Sequence, residues 1–315
     1  MDETMKKSVK IERIIRGNTI YIILVVMILA ASILSPNFRS FANISNLLSQ
    51  SSIIGILAVG QTIVLITGGF DLSMSSMIAL SSVVTALFLP YGYLLALLVL
   101  LMVGLANAFF VNKGISPFVV TLGMQGVART LALWWSDQKS VSIDWEGIKF
   151  LAYTTFLGIP ICVYLWIAVT VLLTLFLNHT VIGRHIYAIG GSPESARLSG
   201  INVKKTRYVA YLLSAFCAFL SGCIYVSRLG VGAPDKAIGY EMDAISCAII
   251  GGTSLLGGAG TLKGTFAGML IYGIITNFLN LMAVSSYWQK VIKGLIILVA
   301  VYFNIRASRK QEVRL

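Results

Sequence analysis

Residues 93–111 read YLLALLVLLMVGLANAFFV, an apolar stretch without a charged side chain. A transmembrane helix needs about 20 such residues to cross the hydrocarbon core of a bilayer. Lipid offers the backbone no hydrogen-bond partner, so a segment that crosses it must be helical unless it closes into a barrel. The sequence has no strands of alternating polarity, and this stretch therefore predicts a membrane-spanning helix.

The composition extends this prediction to the whole chain. Of its 315 residues, 57% are hydrophobic and 11% are charged, whereas a soluble domain carries about 25% charged residues. This balance excludes an ordinary cytosolic enzyme, a disordered chain and a nucleic-acid-binding domain. The formal net charge of +12 is typical of the cationic cytoplasmic loops of membrane proteins, so no nucleic acid is expected as a partner.

We predict an all-α polytopic membrane protein in which residues 1–315 form a single transmembrane domain of about ten helices. The segments that begin at residues 74 and 240 are short and rich in Gly or Ser, which favours interrupted helices near a binding path. The predicted segments cover residues 19–34, 44–66, 74–89, 93–111, 117–135, 155–177, 206–226, 240–256, 264–282 and 287–304.

The distribution of Lys and Arg assigns the two sides. Ten crossings place both termini on one side, and 16 of the 24 cations then fall in the loops and tails of that side, against five on the other. Cytoplasmic loops carry the excess of Lys and Arg. We therefore predict that the N-terminal tail (1–18), the loop 178–206 and the C-terminal tail (305–315) are all cytoplasmic.

Two glycine-containing breaks resemble each other. Residues 66–69 read ITGG and residues 249–252 read IIGG, and each break follows an apolar segment that runs toward the predicted cytoplasm. Transporters are often built from two related halves with interrupted helices near the binding path. The alternative is that the paired glycines only let helices approach closely.

Residue types that carry catalysis or bind metals are scarce. The two histidines, His179 and His185, lie at the edge of a basic loop, and no His, Asp or Glu residues have metal-ligand spacing. Residues 257–265 read GGAGTLKGT and lack the spacing of a phosphate-binding loop. The four cysteines lie in apolar stretches without a C-x-x-C pair. We predict no catalytic residue, no metal and no cofactor.

Polar residues inside the predicted helices are candidates for a translocation path. An amide or carboxylate at membrane depth must face protein or a water-filled route, because it is costly in hydrocarbon. The alternative is that these residues form hydrogen bonds between helices. The candidates are Gln61, Asp71, Asn107, Gln125, Asn277 and Asn280.

The charged residues within the predicted helices have more local interpretations. Asp71 lies where a half-helix would begin, so its carboxylate would cap free N–H groups there, with an ion or proton site as the alternative. We expect Arg129 to face the bundle interior or extend toward water. Lys290 and Lys293 are expected to extend to the outer interface.

The loop 178–206 contains a complete short helix. Ser192 is a suitable N-cap, Pro193 fits the first helical position, and Glu194 complements the positive helix end. Gly200 is a suitable residue just beyond the C-cap. Two turns are too few for an isolated helix in water, so the loops of this chain or a partner must stabilise it.

Several stretches resemble the permeases of ribose-type sugar ABC importers. They are GRHIYAIGGSPESARLSGIN at residues 183–202, GGFDLS at 68–73, SPFVVTLG at 116–123, GYEMDAI at 239–245 and GGTSLLGG at 251–258. The resemblance extends over about residues 43–304.

The resemblance implies a transport subunit that has no enzymatic activity of its own and lies in the bacterial cytoplasmic membrane, in contact with lipid. It would pair with a second copy or a sister permease and receive a small neutral sugar from an extracytoplasmic binding protein. A separate cytoplasmic ABC ATPase would hydrolyse ATP. The short helix would then be the coupling helix, and its candidate contacts with the ATPase are Ser192, Pro193, Glu194, Ala196, Arg197, Leu198, Gly200 and Ile201.

The alternative function is a self-sufficient secondary carrier for a small polar solute. Such a carrier needs an internal ion or proton site, and Asp71 is the only anchor for it that the sequence suggests. Transport that persists without an ATPase would favour this alternative.

Overall fold

The computed structural model describes the backbone of residues 3–312 and the side chains of residues 19–302. The predicted cytoplasmic tails, residues 1–18 and 305–315, lie outside the residues whose side chains are described. The helices of the described chain are α1 (Glu3–Leu34), α2 (Phe41–Ile66), α3 (Met74–Leu87), α4 (Gly92–Asn112), α5 (Pro117–Trp135), α6 (Phe150–Tyr153), α7 (Ile161–His179), α8 (Val181–Gly191), α9 (Pro193–Leu198), α10 (Val203–Leu229), α11 (Tyr240–Ile250), α12 (Leu262–Leu281) and α13 (Ser286–Glu312).

Very little of the described chain is extended. The strands are β1 (Val141–Ser142), β2 (Thr155–Phe156), β3 (Ile159–Pro160) and β4 (Val231–Gly232), and two short 3-10 helices occupy Pro36–Arg39 and Glu146–Lys149. Strand β2 pairs with β3 as a hairpin, and β1 pairs with the distant β4. The fold is therefore all-α, as predicted.

The ten predicted segments each overlap a helix, and two of their boundaries are wrong. The segment predicted at 155–177 becomes helical only at Ile161, because residues 155–160 form the β2–β3 hairpin around Gly158. The segment predicted at 240–256 ends at Ile250, because Gly252 adopts a left-handed conformation (φ +86°) that ends the helix.

Five of the described helices, α2, α4, α7, α10 and α12, are long and apolar enough to cross a membrane. Helices α3 and α11 have 14 and 11 residues. At 1.5 Å per residue they extend about 21 and 16 Å, less than the hydrocarbon thickness of about 30 Å. They are the short interrupted helices that the sequence favours at these two places.

Helix α2 is the centre of the bundle and is buried from Ser51 to Ile66. It packs against α7, α10, α11 and α12. Gly55 leaves room for the indole of Trp166, which is fully buried and stacks on Phe266 with ring centroids 4.2 Å apart. This packing fixes the helix that carries the first glycine break.

Candidate functional site

The residue Asp71 lies in the break between α2 and α3, is fully buried and accepts hydrogen bonds from three side chains. Its Oδ1 accepts from the Ser73 hydroxyl (2.5 Å), the Ser73 backbone N–H (3.1 Å) and Asn107 Nδ2 (3.5 Å). Its Oδ2 accepts from the Ser214 hydroxyl at 2.6 Å. We call these four residues the Asp71 cluster, which joins the break to α4 and α10.

The Asp71 cluster has the geometry of a structural cap. A buried carboxylate is stable when donors satisfy both of its oxygens, and here both oxygens are satisfied by neutral groups. The adjoining Phe70 carbonyl accepts from the Tyr211 hydroxyl at 3.0 Å, which ties the break to α10 once more. These contacts favour the predicted capping role over the ion-site alternative.

A second buried acid, Glu241, lies in the first turn of α11 and is 6% exposed. Its Oε1 accepts from Gln125 Nε2 of α5 at 3.1 Å, and the same amide is 3.4 Å from the Ser75 hydroxyl of α3. Among the described residues Glu241 Oε2 has no hydrogen-bond partner. Ser75, Gln125 and Glu241 form what we call the Glu241 cluster, where both short helices meet α5.

Next to this cluster, Arg129 is half-buried and binds the loop before α11. Its Nη1 donates to the carbonyl oxygens of Pro234 (2.6 Å) and Lys236 (2.7 Å). This places its guanidinium at the loop that precedes α11, on the predicted outer side.

A third acid, Asp243, forms an ion pair between α11 and α13. Its Oδ2 lies 3.2 Å from Lys293 Nζ, and its Oδ1 accepts from the Tyr272 hydroxyl of α12. The Lys293 side chain is thus turned toward α11, and its predicted position at the outer interface stays a prediction. A cavity lies beside the pair and is lined by Asp243, Tyr272, Asn277 and Lys293 among others.

Two buried acids, Glu241 and Asp243, were not among the predicted site residues. Naming Asp71 as the only plausible intramembrane anchor is wrong, because two more acids are buried in α11. Their signal is present in the sequence: both lie in the first turn of the predicted helix 240–256, where the positive helix end stabilises carboxylates. Their partners Gln125 and Lys293 are distant in sequence and are brought close only by the fold.

The other predicted path residues lie in separate places. Asn277 exchanges amide hydrogen bonds with Asn43 of α2 at 2.9 and 3.0 Å, and Asn280 accepts from Gln289 Nε2 at 2.9 Å. Both are contacts between helices. Gln61 is fully buried in α2, and neither atom of its amide group has a hydrogen-bond partner in the described part of the chain.

On the side of the loop 178–206, α9 has the predicted caps. The Ser192 hydroxyl accepts from the backbone N–H of Ser195 at 3.2 Å, and Pro193 is the first helical residue. Gly200 is left-handed (φ +82°), and Ile201 N–H donates to the Ala196 carbonyl at 3.0 Å, which completes a Schellman cap. These local interactions define the two ends of a six-residue helix.

The side chains of α9 divide into a buried and an exposed set. Ala196 is 4% exposed and faces its own chain, whereas Leu198 is 79% exposed. Glu194 and Arg197 are also exposed. The expectation that the Ala196 side chain lies on a docking face is therefore wrong, since contacts within the chain already cover it.

The end of α8 lies beside the two glycine breaks. It begins at Thr180, whose hydroxyl accepts from Gly183 N–H at 3.0 Å. Burial raises the pKa of Tyr187 above its ordinary value, so its hydroxyl stays neutral and donates to the Gly260 carbonyl at 2.9 Å. The end of α8 thus lies beside the loop that follows α11.

Comparison with known proteins gives one family and consistent relatives. The family described as the branched-chain amino acid transport system permease component matches residues 43–301. The ribose import permease protein of Bacillus subtilis is 36% identical over 97% of this chain and 98% of its own length. That of Escherichia coli K12 is 39% identical over 89% and 91%, and the L-arabinose transport system permease protein of the same strain is 36% identical over 95% and 93%. No solved structure gives a significant match.

Proposed function

The chain belongs to the branched-chain amino acid transport system permease family and, within it, to the ribose-type sugar ABC importer permeases, and on this premise we propose that it carries a small neutral sugar such as ribose across the membrane. The membership confirms the resemblance found in the sequence motifs. The chain is thus a multi-pass membrane transport subunit rather than an enzyme. The observation that carries the proposal is that relatives named for sugar import match nearly its whole length.

The proposed topology has ten membrane segments with both termini in the cytoplasm, within one transmembrane domain over residues 1–315. Two contacts support it, because each joins loops that this topology assigns to one side. Strand β1 pairs with β4 on the predicted outer side. On the predicted inner side, Asn112 Nδ2 at the end of α4 donates to the Lys204 carbonyl in the first turn of α10 at 3.2 Å.

The proposed partners are a second copy or a sister permease, an extracytoplasmic binding protein that delivers the sugar, and a separate ATPase chain. The ATPase docks on the exposed face of α9 and its flanks. Leu198 provides an apolar contact, and Glu194 and Arg197 provide charges of both signs. Ser192, Pro193, Gly200 and Ile201 set the position of this face through the caps, and Arg207 and Lys204 extend it along the adjoining groove.

The Glu241 cluster is the proposed contact for sugar hydroxyl groups, and it refines the predicted path around Gln125. Glu241 Oε2 is buried and has no donor among the described residues, which is costly for a carboxylate oxygen, and a sugar supplies several O–H donors. The other predicted residues Gln61, Asn277 and Asn280 remain proposed path residues, whereas Asp71 and Asn107 are proposed to keep the α2–α3 break in place.

Uptake of radiolabelled ribose into proteoliposomes tests the proposed function. The vesicles contain this chain with its ATPase and binding protein, and ATP is enclosed inside. We expect accumulation that requires ATP and stops when the ATPase is replaced by a hydrolysis-deficient variant. Uptake that continues without the ATPase would instead support the secondary carrier.

The Glu241→Gln variant tests the proposed sugar contact in the same vesicles. We expect a rise of about tenfold or more in the ribose concentration for half-maximal uptake, because one charge-assisted hydrogen bond contributes about 1.5–3 kcal/mol. Asp235→Asn is the matched control, since Asp235 is an exposed acid that forms an ion pair with the neighbouring Lys236. Equal uptake in both variants would remove Glu241 from the path.

A further inference from the structure

The end of α8 packs directly on the backbone of the first glycine break. A Cβ atom at Gly190 would overlap the Ile66 carbonyl oxygen of α2 and the backbone nitrogen of Gly258. Gly258 N–H itself donates to the Ile66 carbonyl at 2.9 Å. No side chain therefore fits between α8, the last turn of α2 and the loop after α11.

The loop that follows the second break packs against both α8 and the first break. Gly257 is left-handed (φ +88°), and a Cβ there would lie 2.7 Å from the Gly190 carbonyl oxygen and 2.9 Å from Gly68 Cα. The Tyr187 hydroxyl adds a hydrogen bond from α8 to the Gly260 carbonyl of this loop. We call Gly68, Gly190, Gly257 and Gly258 the glycine junction.

The glycine junction lies between the exposed α9 and the two interrupted helices. Gly191 and Ser192 are the only residues between Gly190 and the first residue of α9. In the other direction, Gly68 is followed within a few residues by the Asp71 cluster at the start of α3, and the loop holding Gly257 connects α11 to α12. A displacement of α8 therefore reaches both breaks at one point.

We propose that Gly190 and Gly257 are positioning residues that transmit a displacement of α9 to both helix breaks at once. Close-packed protein interiors are hardly compressible and transmit strain. Backbone in contact with backbone has no side-chain rotamer that could absorb a small displacement. The inference rests on the proposed function, because it takes the ATPase to be the partner that moves α9.

The test measures ribose molecules imported per ATP hydrolysed in the proteoliposomes described above. Gly190→Ala is compared with Gly191→Ala, because a Cβ at Gly191 meets nothing within 4 Å. Gly257→Ala is compared with Gly252→Ala, which also has a positive φ (+86°) but open space around the new Cβ. The controls separate the contact itself from the general cost of replacing a glycine.

We expect both junction variants to lose about tenfold in the import ratio relative to their controls, within the range of residues that carry coupling, while the amount of ATPase bound to the permease stays the same. Equal ratios in Gly190→Ala and Gly191→Ala, with ATPase bound to both, would overturn the inference.

The Tyr187→Phe variant covers the case in which a junction variant does not assemble. It removes one hydrogen bond to Gly260 and adds no atoms, so we expect a folded protein whose import ratio falls about two- to threefold. An unchanged ratio would then overturn the inference. Failure of the proposed function has a different signature: the ATPase would bind Leu198→Asp as well as it binds the unaltered chain, or would not bind either.

Discussion

The break after α2 and the break after α11 close their helices with the same hydrogen bonds. At the first, Gly68 N–H donates to the Leu65 carbonyl and Gly69 N–H to the Val64 carbonyl, at 2.8 and 3.1 Å. At the second, Gly252 N–H donates to Ile249 and Thr253 N–H to Ala248, both at 2.9 Å. Each is a Schellman cap with a left-handed glycine at the position beyond the C-cap.

Beyond the caps the two breaks differ in chemistry. The first leads within a few residues to Asp71, whose two oxygens accept hydrogen bonds from Ser73, Asn107 and Ser214. The second leads into a glycine-rich loop without an acid, and the acids of α11 lie at the opposite end of that helix. One of them, Glu241, has an oxygen without a partner in the described chain.

This difference separates Asp71, a structural acid whose two oxygens are both paired, from Glu241, which has one carboxylate oxygen available to a ligand. Similar glycine motifs predict similar helix ends, because the left-handed cap depends on local backbone geometry. They do not predict the polar groups around the ends, which come from distant helices. The predictions below test this separation through the stability of the purified permease and its transport.

The largest effect is expected for Asp71→Ala. The substitution removes the acceptor of three buried donors, the Ser73 hydroxyl, the Ser73 backbone N–H and the Ser214 hydroxyl, and each buried unpaired group costs about 1–3 kcal/mol. We expect destabilisation of at least about 3 kcal/mol, visible as a large fall in the melting temperature of the detergent-solubilised protein or as loss of assembled protein.

Asp71→Asn is the conservative comparison for this variant. It keeps the shape and one acceptor oxygen, so we expect a smaller loss than for Asp71→Ala. A melting temperature within a degree or two of the unaltered protein for Asp71→Ala would show that the cluster is not what holds the first break.

A medium effect is expected for alanine at the two cap glycines. In Gly68→Ala and Gly252→Ala the new Cβ has room, since its nearest neighbour is 3.8 Å away or further. The cost is then the left-handed conformation alone, about 1 kcal/mol at each site. We expect two similar shifts in melting temperature. A much larger shift at one site would show that the two caps are not energetically equivalent.

The sequence predicted those features of the fold that depend on near neighbours. The apolar segments, the glycine breaks and both caps of α9 follow from hydropathy, backbone conformation and capping chemistry within a few residues. The hairpin at 155–160 was missed because two-residue strands leave no periodic signal. The burial of Ala196 was missed because it depends on how the preceding helix packs.

The candidate site was predicted only in part, for a similar reason. Gln125 stood out as a polar residue in an apolar helix, but its partner Glu241 is 116 positions away. Likewise, Lys293 reads as an interfacial lysine until α13 packs beside α11 and brings it to Asp243. The sequence alone indicates which polar residues belong to such clusters. It does not indicate which of them pair, because the partners are distant in sequence.

The smallest effect on stability is expected for Glu241→Gln, which provides the sharpest contrast with Asp71. Among the side chains of residues 19–302, Gln125 alone donates a hydrogen bond to Glu241, and glutamine keeps an acceptor oxygen for it. The substitution also removes a buried charge whose second oxygen is unpartnered, which lowers a desolvation cost. We expect the melting temperature to stay the same or rise slightly, which corresponds to a change in stability below about 1 kcal/mol. Ribose uptake is expected to fall, as proposed above.

Such a split between stability and activity is typical of residues that serve a site at some cost to the fold. A fall in melting temperature as large as that of Asp71→Ala would instead make both acids structural, and the contrast between the two regions would be lost.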